Sequence, residues 1–119
     1  MSEHSDFSKK WLANIDYDKE YILCAAIHYK GFPTPANSPF NIDEGVVLCG
    51  WRHHNIIGQC SSIMSLRQAE VGEYCQGFLT NTNRFVDRLE AMKIALNAKQ
   101  VTEEKLGNPR IGLFSEDLY

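Results

Sequence analysis

The chain has 119 residues, of which 44% are hydrophobic and 23% charged, with a formal net charge of −3. These values fit a single folded domain over residues 1–119 and exclude a disordered chain. The acidic balance also excludes a general binder of DNA or RNA polymers, which needs a basic surface, although a few arginines suffice for a local anion pocket.

Met1–Ser5 reads as a flexible tail, and Asp6–Asn14 as a short helix turning Phe7, Trp11 and Leu12 inward or toward another subunit. Tyr21–Tyr29 is a nearly continuous apolar run, rich in strand formers and too short for a convincing helix. It is expected to be the central strand. Gly31–Asn41 contains three prolines and is therefore an irregular loop, a rim or flap whose Phe32 and Phe40 either seal it to the core or stack on a ligand. Val46–Cys49 predicts a second buried strand, Gly50 a corner, and Arg52–Ser65 a helix. A positive side chain at such a corner strengthens an anion site, which makes Arg52 a candidate clamp. His53 and His54 are adjacent, so on a helix they diverge and do not serve one metal; no metal site and no cofactor are expected.

Ser65–Gly72 reads as a polar connection and Glu73–Thr80 as a third strand. Asn81-Thr82-Asn83 has turn chemistry. Asp87-x-x-Glu90 is a capping-box variant that starts a helix over Asp87–Lys99, with Leu89, Met92, Ile94, Ala95, Leu96 and Ala98 as its apolar stripe. Gly107-Asn108-Pro109 predicts a turn, Arg110–Phe114 an edge strand or a strap across another subunit, and Leu118 and Tyr119 an end that docks. The fold class expected from these elements is α+β, a small mostly antiparallel sheet covered by two main helices. No apolar run approaches a membrane span. Cys24, Cys49, Cys60 and Cys75 form no Cys-x-x-Cys pair. They are read as reduced thiols of a cytosolic protein, with Cys24 and Cys49 packed as small hydrophobes.

The densest chemistry lies around the third strand and the helix after it, where Phe78, Asn83, Arg84, Asp87 and Arg88 follow one another closely. Guanidinium groups bind phosphate bidentately, helix N-termini attract anions, and an aromatic ring can stack on a base. Salt bridges are the alternative use of the same arginines, with Glu116 and Asp117 as acceptors for Arg52, Arg84 or Arg88. On the ligand reading, replacing Arg84 or Arg88 by Ala removes nucleotide binding and leaves thermal melting nearly unchanged.

Taken together, YILCAAIHYKG, GWRHHNII, QGFLTNTNRFVDRLEAMKIA and LFSEDLY resemble the phage anti-Thoeris sponge family in motif order, from about Tyr21 to Tyr119. The resemblance implies a noncatalytic protein of the host cytoplasm that sequesters cyclic ADP-ribose isomers made by bacterial TIR-domain enzymes. It further implies a homo-oligomer, dimer or hexamer, some members of which also hold cyclic oligonucleotides. The ligand-binding residues that stand in the shared motifs are Arg52, His53, Phe78, Arg84, Asp87, Arg88 and Asp117, to which the turn chemistry adds Asn83. Leu89 and Lys99-Gln100 depart from the pattern, where a charge and a glycine are expected, and this affects the helix end more than the site. Two other readings stay open: an enzyme degrading a signalling nucleotide with His28, His53 or His54 as acid and base, and an inhibitor that binds a host protein through the Pro-rich loop.

Overall fold

The computed structural model describes residues 19–36, 38–64 and 72–119. The tail Met1–Ser5, the helix expected over Asp6–Asn14 and nearly all of Ser65–Gly72 lie outside the described residues. Four strands, β1 (Ile22–Tyr29), β2 (Val46–Gly50), β3 (Tyr74–Thr80) and β4 (Phe85–Asp87), form one antiparallel sheet in the order β2-β1-β3-β4. Two main helices, α1 (His53–Met64) and α2 (Arg88–Asn97), accompany it, with a 3₁₀ turn at Glu103–Lys105 and a final helical turn, α3 (Ser115–Leu118). The domain is α+β.

The alternation of side chains along β1 decides where the core sits. Ala25, Ile27 and Tyr29 point to one face and are fully buried there against Phe78, Val86, Ile56 and Cys60 of α1, and Ala91 and Ala95 of α2. Both helices therefore cover the same face. The opposite face carries Cys24, Ala26 and His28 of β1, with Val47 and Cys49 of β2, Cys75 and Leu79 of β3, and Phe85 and Asp87 of β4. Gly77 sits on that second face, where an added Cβ would lie 2.8 Å from the Phe85 ring and closer still to the Val86 carbonyl oxygen. The side-chain-free position lets β4 and the Phe85 ring close over β3.

The hairpin between β3 and β4 turns at Asn81–Arg84, with Asn83 in the left-handed region at φ 59°. Asparagine tolerates that conformation better than most residues. No strand was expected between this turn and the helix, where β4 lies; propensity alone does not single out a three-residue strand, and pairing with β3 supplies what is missing. Asp87 caps α2 as the spacing predicts, its Oδ1 accepting from Glu90 N–H at 2.9 Å. The Glu90 side chain meets Arg84 at 3.3 Å. The buried positions of α2 are Ala91 and Ala95, four residues apart, while Leu89 is exposed. Two alanines in register let this helix lie close to the sheet, and Met92, Ile94 and Leu96 of the expected stripe pack against the core beside them; Leu89 alone of those expected apolar residues is an exposed large side chain.

Helix α2 closes with a Schellman motif: Gln100 N–H donates to Ala95 O at 2.9 Å and Lys99 N–H to Leu96 O at 3.1 Å. Lys99 occupies the left-handed position at φ 61°, which glycine fills without steric cost. The Gln100 side chain then grips the start of β1, accepting from Ile22 N–H at 2.7 Å and donating to Ile22 O at 2.8 Å.

One charged pair ties the hairpin tip to the segment preceding β1. Glu20 is 4% exposed. It accepts from Arg84 through Nε at 3.0 Å and Nη2 at 2.7 Å, and from the hydroxyls of Thr80 and Thr82. Burial alone would raise the Glu20 carboxyl; the Arg84, Thr82 and Thr80 hydrogen bonds outweigh it, so its pKa is lowered. Its ionised form thus contributes stability that is present above the ordinary carboxylate range and is lost as pH falls through the lowered value. Arg84→Ala leaves this carboxylate buried and unpaired, and is expected to cost about 3 kcal/mol in urea denaturation. Lys99→Gly is expected to do the reverse, gaining about 1 kcal/mol by relieving a left-handed non-glycine residue.

Candidate functional site

The sequence-predicted residues fall into three places. The first is a buried cluster where α1, β3, the start of α2 and the C-terminal segment meet. His53, the first residue of α1, is 7% exposed, and its Nε2 lies 2.7 Å from Gly77 O. A carbonyl only accepts, so Nε2 carries the proton and Nδ1 is left as an acceptor when the ring is neutral. Nδ1 faces Arg88 Nη2 at 3.5 Å, and the ring packs edge-on against Phe78 at 5.1 Å between centroids. Burial lowers the His53 pKa; the Gly77 hydrogen bond opposes this and the Arg88 charge adds to it. His53 is thereby held neutral and oriented. Phe78 is fully buried, a floor for the imidazole.

Arg88 is the hub of this cluster. Its Nη2 donates to Gln76 Oε1 at 2.6 Å, its Nη1 to Leu113 O at 2.8 Å, and the guanidinium carbon stands 4.4 Å from the Phe114 ring centroid. The backbone reciprocates, with Leu113 N–H donating to Arg88 O at 2.9 Å. Gly112, at φ 121°, makes this approach possible, because a Cβ there would lie 2.7 Å from Leu89 N and closer to the Arg88 carbonyl. Residues 110–114 therefore form no edge strand; they dock on α2. Asp117 holds the same segment, its carboxylate accepting from Phe114 N–H at 2.9 Å and Gly107 N–H at 3.1 Å.

Arg52 closes the outer side of the cluster. Its Nη2 donates to the main-chain oxygen of Tyr119, its Nη1 stands 3.9 Å from Glu116 Oε1, and its guanidinium carbon is 5.2 Å from the Tyr119 ring centroid. Tyr119 in turn donates its hydroxyl to Trp51 O at 2.7 Å. Despite these contacts, Arg52 Nη1 and the Ser115 hydroxyl oxygen are buried with no hydrogen-bond partner among the described residues. A buried donor without a hydrogen bond costs free energy and is the kind of group an anionic ligand satisfies.

The second place is the hairpin tip. Arg84 is occupied there by Glu20 and Glu90, four residues and so roughly 13 Å of extended strand from Arg88. Asn83 accepts from Phe40 N–H at 3.2 Å through its main-chain oxygen, tying the Pro-rich loop to the hairpin. The two arginines of the motif do not converge within one chain.

The third place is the helix-free face. A concavity of about 650 Å³ is lined by His28, Lys30, Asn41–Glu44, Cys75, Phe85 and Asp87; of the residues expected to bind a ligand it takes in Asp87, and of the candidate acid–base histidines His28. His28 is oriented by its Nε2, which donates to Glu44 O at 2.6 Å. Asp43, Glu44 and Asp87 make this lining acidic, and Lys30 is paired with Glu73 at 3.1 Å. Its polarity is the opposite of what a phosphate requires. The loop before it does act as a rim through Asn41, whose side chain exchanges two hydrogen bonds with the Phe85 backbone at 2.6 and 2.8 Å. Phe32 packs edge-on against Tyr29, sealing the loop to the core.

Sequence reasoning did not single out Gln76 or Glu20. Neither carries a local signal, since their partners lie 12 and 64 residues away.

The model of the phage T4 y16D protein family matches residues 21–119. The chain belongs to that family. No curated protein and no solved structure matches it. The matched residues span all four strands, both main helices and every sequence-predicted site residue.

The neutral, buried His53 has a measurable consequence. Because its folded-state pKa is depressed, its contribution to stability is fully present above the unfolded value of about 6.5 and is lost as pH falls below it. Melting temperature is expected to decline on acidification from pH 7 to 5, and His53→Gln to flatten that decline, as followed by circular dichroism.

Proposed function

We propose that this y16D-family protein is a phage accessory protein that binds and sequesters a small dianionic signalling nucleotide of the cyclic ADP-ribose type, without cleaving it, in the host cytoplasm. The observation that carries the reading is the Arg52–His53–Arg88 cluster, whose buried Arg52 Nη1 has no hydrogen-bond partner among the described residues. Two guanidiniums beside a neutral histidine suit a pyrophosphate, and Tyr119 and Trp51, which is 65% exposed, offer aromatic surface next to Arg52. The motif resemblance supports the same ligand class. A homo-oligomer would let a second copy complete the enclosure of a ligand that one small domain holds on one side only. A two-histidine mechanism is not favoured: His28 and His53 lie on opposite faces of the sheet, and each is bonded to a main-chain oxygen.

The test is retention of a cyclic ADP-ribose isomer in equilibrium dialysis, followed by mass spectrometry of what heat denaturation releases. Intact nucleotide is expected. Arg52→Ala is expected to weaken binding about tenfold to a hundredfold, the loss of one charge-assisted hydrogen-bonding group, with melting little changed. No retention by the unaltered chain, or release of a linearised product, overturns the proposal.

A further inference from the structure

All four cysteines are free thiols, and two of them are neighbours on the helix-free face. Cys49 of β2 stands opposite Ala26 of β1, and Cys24 lies two residues before Ala26 on the same face, so the two are diagonal cross-strand neighbours. The two side chains lie near enough for each thiol to shift the ionisation of the other. Cys49 is exposed and Cys24 half-buried, which corrects the expectation that both pack as small hydrophobes. The other two thiols are excluded from this arrangement. Cys60 is buried in the core under α1. Cys75 pairs with His28, four residues and so roughly 13 Å along β1 from Cys24.

We infer that Cys24 and Cys49 are a redox-active dithiol that closes to a reversible β1–β2 disulfide by exchange with small disulfides such as oxidised glutathione. The first thiolate of the pair attacks one sulfur of the small disulfide, forming a mixed disulfide and releasing one small thiolate. The other cysteine, deprotonated in its turn, attacks the mixed disulfide at the protein sulfur and expels the second. The protein loses two protons and two electrons, and one small disulfide becomes two small thiols.

The geometry sets the character of the bond. Diagonal Cα atoms stand roughly 7–8 Å apart, slightly beyond the roughly 4.4–6.8 Å that a disulfide spans, so closure requires the strands to shift. One feature allows that shift: β2 is the outer strand of the sheet, paired on one side only. A bond made at that cost is readily reduced, as exposed or strained disulfides are. The neighbouring Cys49 side chain holds the Cys24 thiol below its ordinary pKa while Cys49 itself is raised, which makes Cys24 the readier nucleophile of the two.

The experiment exposes the reduced full chain to oxidised glutathione and maps the products by peptide mass spectrometry under non-reducing conditions. The expected product is one intramolecular Cys24–Cys49 link, reversed by dithiothreitol and retained in a Cys60→Ser, Cys75→Ser double variant. Cys49→Ser is expected to lose the link and keep glutathione on Cys24. No reaction, stable adducts on both cysteines of the unaltered chain, links through Cys75, or intermolecular dimers overturn the inference. This outcome is independent of nucleotide binding.

Discussion

The Arg88 guanidinium is the point on which the arrangement of this domain turns. It reaches the sheet through Gln76, the first residue of α1 through His53, and the C-terminal segment through the Leu113 oxygen and the Phe114 ring. Burial depresses its pKa, with Glu116, Cys75 and Asp117 acting in the other direction, so a half-buried cation is kept in place by fixed oxygens and an aromatic face. Because the same residue also accepts from Leu113 N–H, the last seven residues are held to the body of the fold by main-chain and side-chain bonds at once. A single planar donor thus fixes the relative positions of one strand, two helix starts and the chain's final turn.

The two faces of the sheet have consequently diverged in chemistry. The helix-covered face gathers the core, the histidine–arginine cluster and the docked C-terminal segment. The other face carries an acidic concavity at one end and the Cys24–Cys49 pair at the other. Asp43, Glu44 and Asp87 make the second face the less favourable of the two for an anion. The small side chains at the centre, Ala25, Ala26 and Gly77, keep the sheet thin enough for both faces to be used.

Membership in the y16D family rests on a match over residues 21–119, which spans the docked C-terminal segment as well as the sheet. The arginines illustrate why motif density is an incomplete guide to a site. Arg84 and Arg88 are four residues apart in sequence, yet Arg84 neutralises Glu20 at the hairpin tip while Arg88 organises the cluster below the C-terminal turn. Arg52, reached from a different strand-to-helix corner, brings a second guanidinium to the C-terminal segment that Arg88 also holds. Asp117, expected to face a ligand or an arginine, instead caps main-chain amides.

The amino-acid sequence by itself determined the local elements. Its apolar, β-branched runs became β1, β2 and β3, Asp87 became an N-cap, and the α+β class followed, because strand propensity, capping and turn chemistry act over a few neighbouring residues. Tertiary structure alone decided which partners the charged and reactive groups took. Glu20 with Arg84, Arg52 with Tyr119, His53 with Gly77 and Cys24 with Cys49 join residues 24 to 67 positions apart. A guanidinium, an imidazole or a thiol accepts any acceptor of suitable geometry, so its partner is chosen by strand register and helix placement rather than by its neighbours in the chain.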